Sequence, residues 1–311
     1  MKKLSVVVSL ITADNDFQRE QAAAAEDAAR RLGIDVQVIY AESDGILQSQ
    51  QLLKIIQSDG KSRCDGILFE PAGATGLPQV ALAAVSAGIG WGVLNREVDY
   101  ITDLRRRHKA PVFSIAADHT EIGRTQGRQL AALLPRGGSV LCIEGPSQSM
   151  AAKGRTTGLA DTTPGNISIR TVRGQWTRES GHRSVASWMR LSTSRETRYD
   201  AVAAQNDAMA MGARKAFEEI SEPSIRSRWL GLPFLGCDGL AKTGIVWVRS
   251  GQLTATVVSP PMAGQALEMM VKALQTGINP AEHTRVAQHS YPSLEDLASG
   301  RAAKAQGGSA V

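Results

Sequence analysis

The stretch YDAVAAQNDAMAMGARKAF, residues 199–217, changes its pattern of apolar residues halfway along. Residues 199–204 are small and apolar, which is typical of a buried strand. From residue 207 the apolar residues recur at helical spacing, which predicts a helix. Three polar residues stand between the two segments: Gln205, Asn206 and Asp207. Asn and Asp occur at such places as helix caps, but ligands of open α/β sheets also bind there, beyond the carboxyl ends of the strands.

The same succession of strand and helix recurs along the chain. Apolar runs predict further strands at residues 4–10, 34–40, 65–69, 88–94, 112–116, 139–143, 167–172, 233–237 and 253–258. Helical spacing predicts further helices at residues 17–32, 46–57, 77–87, 118–134, 149–161, 177–191, 240–250 and 261–276. This alternation predicts an α/β fold with parallel sheets. Its restart near residue 112 predicts two similar halves.

The composition excludes several classes of protein. Of the 311 residues, 42% are hydrophobic and 21% are charged, as in an ordinary globular protein. No apolar run approaches the roughly 20 residues that span a bilayer, so we expect no membrane insertion. The densest basic cluster, RRRHK at residues 105–109, is interpreted as a solvated loop. We expect no nucleic-acid partner, because no DNA-reading motif accompanies that cluster.

Motifs of catalysis and of cofactor binding are absent from the sequence. The turn after the first predicted strand, SLITADNDF at residues 9–17, has no glycine, so it lacks the dinucleotide-binding fingerprint. There is no Walker A sequence and no G-x-S-x-G elbow. Neither the histidines nor the three cysteines show the spacing of a zinc site or of a disulfide framework. We therefore predict no catalytic residue, no cofactor and no metal; an enzyme on this scaffold is the weakest of the hypotheses.

Polar and aromatic side chains follow the predicted strands. They are Asn15, Phe17, Asn95, Arg96, Arg155, Trp176, Asn206, Asp238 and Ser259. Planar carboxylate, amide and guanidinium groups meet adjacent hydroxyls two at a time, and an aromatic ring packs against the C–H face of a sugar. The recurrence of these side chains at strand ends predicts a binding site for a sugar-like ligand.

The charges of this set suggest a second property of the ligand. Arg96 and Arg155 carry two positive charges, and Asp238 carries the one negative charge among these nine residues. An uncompensated charge in a closed pocket is costly, so we hypothesise an anionic polyol. Compensation by a neighbouring carboxylate at Asp14, Asp16 or Glu70 is the alternative.

Four motifs carry a resemblance to a known family. The stretch AAQNDAMAMGARKAF is similar to the family's QND-MALGA--A, FLGCDG to its G-DG, KGRTTGL to its R-R--GF, and LNRE to its DR. Over about residues 4–292 the chain resembles the type I periplasmic binding proteins, especially the ribose-binding branch, and the effector domains of LacI-type repressors. The resemblance implies two Rossmann-like lobes with parallel sheets, joined by a three-crossing hinge. The lobes are expected at residues 1–117 with 260–288 and at residues 118–259 with 289–311.

On this resemblance eight residues of the set fall at ligand-contacting positions, in a cleft between the lobes, and Ser259 falls where a polar contact on the hinge side is expected. Three departures are present. Gln18 stands where ribose binders often have a second aromatic residue, Asn95 replaces an aspartate, and Ser259 replaces a longer amide. We therefore expect a sugar-like ligand other than ribose.

The resemblance implies two possible functions. The first is a non-catalytic periplasmic protein that binds a monosaccharide or related polyol, closes by a hinge, and serves an ABC-type permease or a sensor partner. The second is a cytoplasmic sugar-sensing regulator without a DNA-binding headpiece, because the first strand is expected to begin at residue 4. We interpret residues 4–10 as this strand and not as part of an export signal, which favours the cytoplasmic alternative.

Overall fold

A computed structural model describes residues 3–58, 63–73, 75–191 and 198–300. The chain divides into a first unit, Met1–Ala117 with Pro261–Val286, and a second unit, Asp118–Pro260 with Ala287–Val311. The last division lies two residues before the expected one: the strand His283–Val286 pairs with the sheet of the first unit, and both the strand and the unit end at Val286. The middle division lies after Pro260, one residue later than expected.

The secondary structure of the described residues alternates strictly over most of the chain. The strands are β1 Ser5–Leu10, β2 Asp35–Tyr40, β3 Gly66–Phe69, β4 Gly90–Leu94, β5 Val112–Ala117, β6 Gly138–Glu144, β7 Ile167–Arg173, β8 Ala201–Ala204, β9 Phe234–Asp238, β10 Ala255–Val258, β11 His283–Val286 and β12 His289–Tyr291. The helices are α1 Asp16–Leu32, α2 Gly45–Ile56, α3 Pro78–Ser86, α4 Ile101–Arg107, α5 His119–Leu133, α6 Met150–Thr162, α7 Arg178–Met189, α8 Asp207–Glu218, α9 Pro223–Leu230, α10 Gly244–Arg249, α11 Ala263–Thr276 and α12 Leu294–Ala298.

Within the described part of the chain, each unit contains one six-stranded sheet. The first sheet has the order β11-β5-β4-β3-β1-β2, and all its neighbouring strands are parallel. The second has the order β12-β10-β9-β8-β6-β7; β12 runs antiparallel to β10, and the other neighbouring strands of this order are parallel. The predicted α/β class with two parallel sheets is thus confirmed. Because β1, β3 and β4 are neighbours, the residues that follow them lie at one edge of the first sheet.

The central strands are buried on both faces, as expected when helices cover a parallel sheet. Ile67 of β3, Trp91 of β4 and Phe113 of β5 are fully buried in the first unit. Leu141 of β6 and Val202 of β8 are fully buried in the second. These cores fix the strands whose carboxyl ends carry the predicted site residues.

Some elements differ from the sequence-based prediction. The basic cluster at residues 105–109 is not simply a loop, because its three arginines form the last turn of α4, where cations interact favourably with the helix dipole. Buried Ile101 and Leu104 anchor this helix. Four further short elements, α9, α12, β11 and β12, were not predicted from the sequence. No helix among the described residues is both long and apolar enough to cross a membrane.

Candidate functional site

The second unit gathers several predicted site residues around Arg155. This arginine lies in the second turn of α6 and is only 6% exposed. Its Nη2 lies 3.6 Å from Oδ1 of Asp238, at the end of β9. Its Nη1 donates a hydrogen bond to the carbonyl of Gln205, and its Cζ lies 5.4 Å from the centroid of the Trp176 ring. A buried ion pair therefore lies beside an aromatic face at the carboxyl edge of this sheet.

Asn206 acts both as a helix cap and as a partner of this group. Its Oδ1 accepts from the backbone N–H of Met209, 2.9 Å away, at the start of α8. Its Nδ2 donates to the carbonyl oxygen of Trp176 at 2.9 Å. Trp176 has a φ of +66°, a conformation that is costly for a bulky residue unless its surroundings hold it. The cap thus also stabilises the backbone that presents the indole ring.

Asp207 is a functional candidate that the sequence analysis treated only as part of a polar turn. It is 3% exposed, and its Oδ1 accepts from Oγ1 of Thr256 at 2.7 Å. Its Oδ2 accepts from the N–H of Gly239 at 2.8 Å. A methyl group added at Gly236 or Gly244 would lie 2.0 or 2.1 Å from a carboxylate oxygen of Asp207. These glycines therefore make room for a carboxylate beneath the ion pair.

The contact with Gly239 helps to place the neighbouring Asp238. Asp238 has a φ of +107°, and its carbonyl accepts from the N–H of Ser259 at 2.9 Å. Burial, followed by the negative charge of Asp238, raises the pKa of Asp207. The hydrogen bonds to Asp207 and the charge of Arg155 oppose this rise.

The raised pKa predicts a pH dependence of stability with a definite sign. The stability contributed by the protonated Asp207 is present below its unfolded-state pKa, roughly 4, and is lost as pH rises through the folded-state pKa. The unfolding free energy of the wild type minus that of Asp207→Asn should therefore fall with rising pH above roughly 4, by up to about 1.4 kcal/mol per pH unit. Urea denaturation over a pH series measures this difference. A constant or rising difference would contradict the assignment.

The predicted residues of the first unit lie at the ends of β1 and β4. Asn15 caps α1, its Oδ1 accepting from the N–H of Gln18 at 3.2 Å, and Phe17 in the first turn is buried. Asn95 directly follows β4 and has a φ of +58°. Nη1 of Arg96 donates to the carbonyl of Gly73 at 3.1 Å. These four predicted residues thus belong to the same unit and the same edge of its sheet.

Glu70, which directly follows β3, is central to this edge. It is 4% exposed, and its Oε1 accepts from Nδ2 of Asn95 at 2.9 Å. Its Oε2 accepts from Nε2 of Gln18 at 2.9 Å and from Nε2 of Gln21 at 3.5 Å. Burial raises the pKa of Glu70, while the three amides and Arg96 oppose the rise. Burial likewise lowers the pKa of Arg96, and the charge of Glu70 opposes this.

The hypothesis of an anionic ligand rested on two arginines opposed by one aspartate, and Glu70 adds a second carboxylate to that count. Arg96 interacts electrostatically with Glu70, and Arg155 forms its ion pair with Asp238. Each unit therefore supplies one carboxylate for its arginine, and a third carboxylate, Asp207, lies close to Arg155. The alternative named in the sequence analysis, compensation by Glu70, removes the physical argument for an anionic ligand.

The described residues contain no group of three His, Cys, Asp or Glu side chains that could hold a metal ion. At the carboxyl ends of the strands in each sheet, the polar side chains form hydrogen-bonded pairs and ion pairs. Such groups suit a ligand with many hydroxyls, because each hydroxyl both donates and accepts.

Comparison with known proteins places the chain in a family. The family model of the periplasmic binding protein domain matches residues 6–278. The D-allose-binding periplasmic protein of Escherichia coli (strain K12) is 25% identical over 281 residues, which are 87% of this chain and 84% of that protein. The putative rhizopine-binding protein of Rhizobium meliloti is 26% identical over 220 residues, which are 69% of this chain and 67% of that protein.

The solved structures agree on the fold. The crystal structure of a galactofuranose-binding protein has a TM-score of 0.79 to this chain at 23% identity, and the match covers 98% of this chain and 99% of that one. Because the family model spans most of the chain, the protein belongs to the periplasmic binding protein domain family, as a type I member of the ribose-binding kind.

Proposed function

We propose that the protein is a non-catalytic solute-binding protein whose ligand is a neutral monosaccharide or related polyol. The observation that carries this proposal is the ion pair of Arg155 and Asp238 beside the ring of Trp176. The guanidinium offers donors and the carboxylate offers acceptors in fixed planes, so that adjacent hydroxyls can be bound two at a time. The ring offers a flat apolar surface for the C–H face of a sugar.

The balance of charge supports a neutral ligand. Arg155 and Arg96 each have a carboxylate that compensates their charge, so a ligand need not bring a further negative charge. Relatives of the chain are named for binding D-allose, ribose, galactofuranose and xylitol, which is consistent with this class. We propose further that Asn15, Phe17, Asn95, Asn206 and Ser259 contact the ligand together with these residues.

Transport is the role that we propose for this binding. Several solved relatives are described as binding components of ABC transporters, and the family is named for the periplasm. On this proposal the protein delivers its sugar to an ABC permease from the periplasm. Fractionation of the native host, with immunodetection of the protein, tests the compartment.

A panel of ligands tests the binding proposal directly. We expect neutral pentoses, hexoses or cyclitols to raise the melting temperature, and sugar acids and sugar phosphates to have no effect. A ligand present at about 100 times its Kd stabilises by about 2.7 kcal/mol, which a thermal-shift assay detects. Stabilisation by anions alone would overturn the proposed ligand class. Chromatography of the incubated sugar should recover it unchanged, and a product would overturn the non-catalytic assignment.

Tryptophan fluorescence tests whether the indole lies against the bound sugar. We expect Trp176→Phe to remove most of the fluorescence change that accompanies binding. We expect Trp176→Ala to weaken binding by about 1–3 kcal/mol, the usual range for loss of a large buried contact. Trp247→Phe, in α10, is the matched control and should retain both signal and affinity. Unchanged affinity of Trp176→Ala would exclude the residue from the site.

A further inference from the structure

The side-chain amide of Asn95 is held in one orientation. Its backbone N–H donates to the carbonyl of Ile115 at 2.8 Å, which fixes the residue after β4 in its left-handed conformation. Its Nδ2 donates to Oε1 of Glu70 at 2.9 Å. Since the two ends of an amide group point in different directions, this contact decides which way Oδ1 faces. An amide oxygen has two lone pairs, so it can accept from a ligand hydroxyl in addition to any other contact.

Glu70 is itself constrained to accept on both of its oxygens. Oε1 of Gln18 accepts from the N–H of Ile11 at 2.9 Å. Oε1 of Gln21 accepts from the N–H groups of residues 262 and 263, both at 2.8 Å. Backbone donors therefore fix both glutamine amides so that their Nε2 groups point to Oε2 of Glu70. The remaining oxygen, Oε1, is thus the one available to Asn95.

We propose that Glu70 is a positioning residue that orients the Asn95 amide, so that residue 95 offers the ligand a hydrogen-bond acceptor and not a donor. This inference rests on the proposed function. The sugar hydroxyl that faces residue 95 must then donate its proton. In this arrangement the negative charge lies on the buried side chain of Glu70. The resemblance instead expects it on an aspartate at position 95.

A charge swap between the two residues tests this role. In Glu70→Gln, the new amide keeps its oxygen towards Gln18 and Gln21 and turns its nitrogen towards Asn95, whose amide must then invert and offer a donor. In Asn95→Asp, two carboxylates face each other. In the double variant Glu70→Gln/Asn95→Asp, the amide at position 70 donates to the carboxylate at position 95, which restores an acceptor towards the ligand.

Calorimetric titration with D-allose, D-ribose and myo-inositol gives the first readout. For each probe that the wild type binds, we expect Glu70→Gln to lose about tenfold or more in affinity, the scale of one mismatched hydrogen bond. Asn95→Asp should lose less affinity, because its carboxylate still offers the ligand an acceptor and the cost is the repulsion between the two carboxylates. We expect the double variant to recover to within about threefold of the wild type. Val80→Ala, in the core of the first unit, is the stability control: it should lower the melting temperature without changing affinity.

A second readout needs no ligand. The melting temperatures of the wild type, the two single variants and the double variant form a double-mutant cycle, and the double variant should lose less than the sum of the single losses. Additive losses would overturn the inference whatever the sugars do. So would a Glu70→Gln variant that binds as the wild type does, or a double variant weaker than both single ones. A wild type that binds none of the three probes, nor any sugar of the wider panel, would instead overturn the proposed function, and with it the acceptor role towards a ligand.

Discussion

Replacing Arg155 with methionine is expected to destabilise the second unit by about 3–5 kcal/mol, the usual cost of removing one partner of a buried ion pair. Methionine fills most of the volume of the arginine side chain, so the loss reports charge rather than a cavity. Without the guanidinium, the carboxylate of Asp238 lies buried near that of Asp207, whose pKa it already raises. Sugar binding should be lost as well, because the donors beside Trp176 disappear.

Urea denaturation and titration with the sugar found in the panel measure the two effects. The cost of Arg155→Met should be smaller at pH 5 than at pH 8, because protonation relieves the uncompensated carboxylates. Arg183→Met is the matched control: Nη1 of Arg183 lies 2.6 Å from Oε1 of Glu179, and the two side chains are 64% and 75% exposed, so solvent screens the pair and we expect a loss of at most about 1 kcal/mol. Equal effects of the two substitutions would contradict the structural role of Arg155.

The α/β class could be predicted because the sequence patterns of strands and helices are local: each lies within a few consecutive residues. A buried strand such as β8 shows in four consecutive apolar residues, and the helix after it shows in spacing and in the cap at Asn206. The same local logic identifies Asn206 and Asp238 as strand-end residues. The grouping of Arg155, Trp176 and Asp238 follows once the strand order is known.

Contacts that join distant segments could not be predicted from the sequence. Glu70 and Gln18 are 52 residues apart, and Asp207 and Thr256 are 49 residues apart. Nothing in the neighbourhood of Glu70 in the sequence indicates that three amides converge on its carboxylate. The hypothesis of an anionic ligand lost its basis for the same reason: the sequence names Glu70 as one of three carboxylates that could compensate the arginines, and only the structure shows that it interacts with Arg96.

The close contact between α5 and α6 depends on two glycines, and it too could not be predicted from the sequence. In the sequence, Gly123 and Gly158 are only poor helix formers inside predicted helices. In the structure, a methyl group at Gly123 would lie 2.1 Å from the carbonyl oxygen of Arg155, and one at Gly158 would lie 1.8 Å from that of Thr120. The two glycines therefore allow the backbones of α5 and α6 to approach closely, and α6 is the helix that carries Arg155.

Replacing Gly158 with alanine is accordingly expected to cost about 3 kcal/mol, the upper part of the range for overpacking. Alanine gains about 1 kcal/mol in helix propensity over glycine. The steric term is larger, because the obstacle is a backbone oxygen that cannot rotate away as a side chain would. The shift that relieves the clash must move α6 and with it Arg155, so sugar affinity should fall together with stability.

Gly165→Ala provides the matched control, because a methyl group at Gly165 meets nothing within 4 Å. That substitution lies in the same unit and should change stability by no more than about 0.5–1 kcal/mol, with a gain if the loss of freedom in the unfolded chain dominates. Urea denaturation of both variants and calorimetric titration of the folded proteins give the comparison. If Gly158→Ala is as stable as Gly165→Ala and binds sugar as the wild type does, the close approach of α5 and α6 neither limits stability nor positions Arg155.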